Sequence, residues 1–120
     1  MLVYIQTRHF DLTPELSDYV ESKIRLMLGR YKNKIMTVNV SLSDINGPRG
    51  GEDKCCKIII KPENIPSIVV KETASDIYDA VNRCSHRAKR IVNRNLILTQ
   101  WKRKQLTLDE HLEDDDIVGL

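Results

Sequence analysis

The stretch "KIMTVNVSLS" (34–43) alternates without a break: Met36, Val38, Val40 and Leu42 point one way, Thr37, Asn39, Ser41 and Ser43 the other. A period of two with one apolar side predicts a strand in a sheet that is covered on one face and wet on the other. Residues 2–9 share this character and read as a first strand. Between them the period changes. In "DLTPELSDYVESKIRLMLGRY" (11–31), Leu16, Val20, Ile24, Met27 and Tyr31 recur at helical spacing. Thr13 stands at the N-cap and Pro14 at the first helical position, where a missing N–H does no harm.

"DINGPRGGED" (44–53) holds three of the five glycines and reads as a hairpin loop with Arg49 near its tip. "KCCKIIIK" (54–61) returns as a strand, with Cys56, Ile58 and Ile60 inward and Lys57 and Lys61 outward. "PENIP" (62–66) turns the chain into "SIVVKE" (67–72), where Ile68 and Val70 face inward. Ser75 then caps a second helix, lined on its core side by Ile77, Val81, Cys84, Ala88 and Ile91, with Asp76 and Asp79 near its positive end.

The order β-α-β-β-β-α, with a right-handed crossover followed by two hairpins, predicts an α+β fold. It is a two-layer sandwich in which two parallel helices cover one face of a four-stranded sheet. Residues 1–95 make up this domain. From about residue 96 the pattern fails, and 96–120 reads as a C-terminal extension, basic and then acidic, partly ordered at most.

Charge refines the picture. The formal balance is +2, but "DEHLEDDD" (109–116) alone contributes six acids. Without them nineteen basic residues face eleven acidic ones, a surplus of eight over residues 1–108. Such a body suits a polyanionic partner. No apolar run approaches the ~20 residues that span a bilayer, and "MLVYIQTRHF" lacks a signal-peptide layout. A cytoplasmic protein without a membrane partner is the expectation. Three cysteines without framework spacing predict reduced, buried thiols rather than a disulfide scaffold.

Enzyme chemistry finds no foothold. "GPRGGEDK" has glycines and a lysine, but it lacks the G-K-[ST] ending and leads into a strand instead of a helix N-terminus. No nucleophile stands in a recognisable arrangement with a histidine and an acid. His9, His86 and His111 have no partner at metal-ligand spacing. No catalytic residue, metal, cofactor or small-molecule substrate is expected.

The helices carry the chemistry instead. Arg83, Arg87, Arg90 and Arg94 fall along one edge of the second helix, bordering its apolar stripe. No acid occurs within 80–94 to balance them at i,i+4. Lys23 and Arg30 repeat the pattern more weakly on the first helix, and Arg25 and Lys89 broaden the cationic surface. With the helices parallel, one ridge faces the groove between them and the other the outer flank. Clustered arginines favour phosphate. One Phe and one Trp in the chain disfavour a base-stacking sheet platform, so folded RNA read by shape and phosphate fits better. A general structured-RNA binder is one such reading; a solvated helix face is the plain alternative.

"DLTPELSDYVESKI" followed by "ETASDIYDAVNRCSHRAKRIVNR" resembles the ribosome hibernation-promoting factor and ribosome-associated inhibitor family, once labelled sigma-factor modulation proteins, over roughly residues 2–95. The T-P-x-L that opens the first helix and the D-x-Y-x-A-[IV] that opens the second carry the resemblance. It implies the same β-α-β-β-β-α fold, like that of double-stranded-RNA-binding domains, in a short-form bacterial protein of the stress response. It implies a translation inhibitor bound to the small ribosomal subunit and its ribosomal RNA, in the channel used by messenger and transfer RNA. Carried over by position, Lys23, Arg87, Arg90 and Arg94 match basic positions of the family; Arg83 and Lys89 rest on the helical wheel alone. Tyr78 matches the D-x-Y tyrosine as a packing residue. The old label leaves a protein-interaction regulator open.

Three departures stand out. The loop 44–53 is long and glycine-rich, "KCCKIIIK" lacks the small and polar residues expected of the third strand, and the C-terminal dimerising domain of long-form members is missing. The acidic tail reads as a solubilising segment in preference to one that folds back over the basic helices.

Overall fold

The computed structural model describes residues 1–9, 11–45 and 53–111, with side chains through Ile97. Arg49 and the acids beyond His111 lie outside the described residues. The chain runs β1 (Leu2–Arg8), α1 (Pro14–Leu28), a 3-10 turn (Gly29–Tyr31), β2 (Ile35–Asp44), β3 (Lys54–Pro62), β4 (Ile68–Ala74) and α2 (Ile77–His111). One sheet has the order β1-β2-β3-β4, with β1 parallel to β2 and the other two pairs antiparallel. The α+β sandwich of the expected element order is thus present.

Each element follows from local chemistry. Thr13 is extended (φ −77°, ψ 157°) and its Oγ1 accepts from the Leu16 N–H at 3.2 Å, with Pro14 beginning α1. Asn64, at φ 61°, supplies the left-handed residue that turns β3 into β4. The cap of α2 is Asp76 rather than Ser75: its Oδ1 accepts from Tyr78 N at 3.2 Å and its carbonyl from Ala80 N at 3.0 Å. Either side chain can cap, and the helix register selects the acid.

The core lies between the sheet and the helices. Val20, Ile24 and Leu28 of α1 meet Val38, Val40, Leu42, Ile58, Ile60 and Val70 of the sheet, with Val81, Cys84, Ala88 and Val92 of α2. α2 lies over β3 and β4 and beside α1. Burying one Leu- or Ile-sized side chain contributes roughly 1.5–3 kcal/mol, so this interdigitated set is the main source of stability.

The alternation expected of β2 needs correcting. The β2–β3 register shifts between Ile35 and Thr37. That irregularity puts Ile35 in the core and leaves Met36 59% exposed, although strict alternation assigned Met36 to the covered face. One extra residue in a strand flips every side chain beyond it. The backbone of α2 runs on as helix into the extension, to His111. Loss of an amphipathic stripe does not end a helix when residues 98–111 contain no glycine or proline.

The three cysteines are free and buried, Cys55 included, although it sits on the sheet face turned from the helices. Cys84 anchors α2 to the sheet: its thiol donates to the Cys56 carbonyl at 3.3 Å and lies 3.4 Å from that of Val70. Hydrogen bonding of its thiol with that of Cys84, and burial, push the Cys56 pKa far up.

Candidate nucleic-acid interface

Two aromatic contacts set the helices side by side. Near the start of both, the Tyr19 and Tyr78 rings meet edge to face with centroids 5.0 Å apart. Past the end of α1, the Tyr31 hydroxyl donates to Asn93 Oδ1. Because early residues meet early residues and late meet late, α1 and α2 run parallel. Burial and the nearby carboxylates of Asp79 and Asp76 raise the Tyr19 pKa, so its phenol stays neutral in the fold.

The groove between the helices gathers part of the predicted basic set. A cavity of about 330 Å³ is lined by Arg30 and Tyr31 from the α1 side and His86, Lys89, Arg90 and Asn93 from α2. Lys23 lies nearer the helix starts, its ammonium 5.9 Å from the centroid of Tyr19, the ring that meets Tyr78, while the Arg30 guanidinium lies 6.0 Å from that of Tyr31. These rings hold the cations by their π faces without neutralising them. Among the described residues, Lys23, Arg30, Lys89 and Arg90 have no carboxylate within ion-pairing distance.

Arg83 and Arg87 take a different position. They lean over β4, the edge strand, where Arg83 Nη1 donates to the Thr73 carbonyl at 3.2 Å and Arg87 Nη1 to that of Lys71 at 3.4 Å. Arg87 also pairs with Glu72 at 2.7 Å. The absence of acids within 80–94 does not leave Arg87 unbalanced, because its partner comes from the neighbouring strand. Two guanidinium groups laid along free carbonyls also discourage further strands from adding to that edge. Arg94, one heptad beyond Arg87, is exposed on the same flank.

Arg25 is apart from both groups. It pairs with Glu21 at 3.0 Å and lines a separate cavity with Met1, Gly29, Lys32 and Asn33. Sequence reasoning treated His86 only as a metal ligand and missed its place in the groove. The signal was there: His86 precedes Lys89 by three positions and Arg90 by four, so all three share one helix face. Lys54, the lysine of the glycine-rich loop, is held between Asp53 (3.1 Å) and Asp44 (3.3 Å). A lysine already bridging two carboxylates is not free to cradle a phosphate.

Among the described residues no group of three or more His, Cys, Asp or Glu side chains could hold a metal ion, and no helix is long and apolar enough to cross a membrane.

The family model "Sigma 54 modulation protein / S30EA ribosomal protein" matches residues 3–96, from Val3 of β1 through α1 and β2 to β4 and along α2 to the buried Leu96. The chain belongs to this family. Two solved structures are similar to this S30EA-family chain. The N-terminal domain of Protein Y from Thermus thermophilus shares 25% identity at a TM-score of 0.66, covering 78% of this chain and 98% of that one. A ribosomal subunit interface protein from Coxiella burnetii has the same TM-score at 15% identity, covering 81% and 99%, a likeness of fold alone. No curated protein sequence matches the chain. The family is one of ribosome-associated proteins, and the fold expected from the sequence is the fold of these neighbours.

Proposed function

We propose that the protein is a non-enzymatic hibernation factor that inhibits translation in the cytoplasm by occupying the RNA channel of the small ribosomal subunit. Its interface is the helical layer, centred on the groove between α1 and α2. The observation that carries this reading is the convergence of Arg30, Lys89 and Arg90 on one groove, with His86 beside them, Lys23 further along α1 by Tyr19, and no carboxylate partner for these four cations among the described residues. Like charges brought together on a folded surface destabilise it slightly, and a phosphate-lined cavity offsets that cost. Arg83, Arg87 and Arg94 extend the surface along the outer flank, where their exposed guanidinium groups can each meet a phosphate, Arg83 and Arg87 while they also hold β4. Arg25, on the far side of α1, contributes long-range attraction more than contact.

Co-sedimentation with purified small subunits tests the reading. Arg30→Glu with Arg90→Glu should weaken binding at least tenfold with an unchanged circular dichroism spectrum. For the parent, log affinity should fall with log salt by about 0.7–0.9 per phosphate neutralised. If the double variant co-sediments like the parent, the groove is not the interface. The family's other description, sigma 54 modulation, supports a protein-partner reading; that one requires binding which survives both high salt and nuclease.

A further inference from the structure

The sheet face turned away from the helices is as one-sided in charge as the groove. Strand pairing lays Gln6, Ser41, Lys57 and Lys71 in one row straight across all four strands. Arg8 lies one row further along β1, and Lys61 lies on β3 beyond the row of Tyr4, Asn39, Ile59 and Val69. The outward positions of the four strands thus hold four cations and no acid. Arg8, Lys57, Lys61 and Lys71 are all exposed, and none has a carboxylate partner among the described residues.

Lys57 and Lys71 are direct cross-strand partners. Like charges opposite one another destabilise a sheet, so this pair works against the fold unless an anion lies between them. The surface there is concave: a cavity of about 410 Å³ opens over Gln6, Arg8, Ser41, Ser43, Lys57 and Lys71. Its floor is ordered, with Gln6 Nε2 donating to Ser41 Oγ at 2.8 Å, which leaves the serine hydroxyl proton free to donate to a ligand. Beside the cationic row, about 7 Å along the strands, Tyr4 and Val69 are 52% and 56% exposed. Tyr4 lies on β1, two strands (about 10 Å) across from Lys57: one ring is no stacking platform, but it can take a single base from a strand whose phosphates follow the cationic row.

We propose that this face is a second nucleic-acid contact, which seats the phosphodiester backbone of a single RNA strand along Lys57 and Lys71, with Arg8 at its end and a base against Tyr4. The site is independent of the helical groove and lies on the opposite side of the sandwich. An acidic peptide would satisfy the lysines but has no group that calls for Tyr4, which is why RNA is the occupant.

The test is titration of a fluorescent oligouridine of about 12 nucleotides into the full chain at low salt, with Lys57→Glu/Lys71→Glu, Lys57→Gln/Lys71→Gln and, as control, Lys89→Glu/Arg90→Glu. Charge reversal on the sheet should weaken binding at least tenfold. The glutamine pair should lower the log–log salt slope by about 1.4, two phosphates at roughly 0.7 each for a single strand. Amide shifts should map to Ser41, Lys57 and Lys71, and the control should lose subunit binding while keeping its oligouridine affinity. Equal affinity and slope in the parent and both sheet variants would overturn the proposal. So would shifts confined to α1 and α2, or a sheet face that binds polyglutamate and ignores the oligouridine. Because the control reads the helical groove on subunits, a failure of that reading is seen separately.

Discussion

The guanidinium of Arg87 meets the carboxylate of Glu72 at 2.7 Å, joining α2 to the edge strand β4 fifteen residues back along the chain. A side chain suited to phosphate is therefore already engaged by the protein itself. The side chains of Arg87 and Glu72 are 48% and 27% exposed, so the pair is well solvated and contributes at most about 1 kcal/mol. Glu72→Gln should leave the unfolding free energy within that margin and strengthen RNA binding a few-fold at low salt, since it frees the guanidinium and removes a nearby negative charge. Urea unfolding alongside a subunit-binding titration reads both quantities. A loss of several kcal/mol would mean that the pair is structural.

Tyr31 and Asn93 offer a cleaner measure of helix pairing. Tyr31→Phe keeps the ring and deletes only the hydroxyl that donates to Asn93 Oδ1. The expected cost is about 1 kcal/mol, seen as a lower urea midpoint at unchanged slope. No loss would show that water replaces the contact fully.

Alkaline pH should erode the fold, and Cys56 identifies one source. Its folded pKa is raised by hydrogen bonding with the Cys84 thiol and by burial, so the native state keeps the proton. Below the unfolded value of about 8.5 both states are protonated and the thiol has no effect on pH dependence. Above it the unfolded chain releases the proton first, and stability falls by about 1.4 kcal/mol per pH unit. Tyr19 and Lys54, also shifted upward, add the same sign at higher pH. Denaturant unfolding in reducing buffer over about pH 8–10, spanning the thiol reference value, should give a shallower decline for Cys56→Ala. An identical slope would exclude this thiol as the cause.

Much of this architecture was legible because local patterns and packing agree. The alternation of Val38, Val40 and Leu42, the Thr13–Pro14 start and the stripe of α1 each name an element and its buried side in one step. The parts that were not legible depend on tertiary register. The irregularity that exchanges Met36 for Ile35 leaves no mark in composition. Two adjacent capping residues, Ser75 and Asp76, can be told apart only when the helix start is known. The pairing of Arg87 with Glu72 needs α2 laid over β4, and the split of one basic ridge between the groove and the β4 edge follows from the same docking. Sequence periodicity gives the face of a helix but not its neighbours.

The contacts Tyr19–Tyr78 and Tyr31–Asn93 sit at opposite ends of the slot between the helices, like two bolts through a caliper. With both ends fastened, the jaws keep one opening, and the positive side chains along them hold a constant spacing. A partner that docks there, as proposed, meets a slot of set width. Any flexibility such a fit demands would come from the partner.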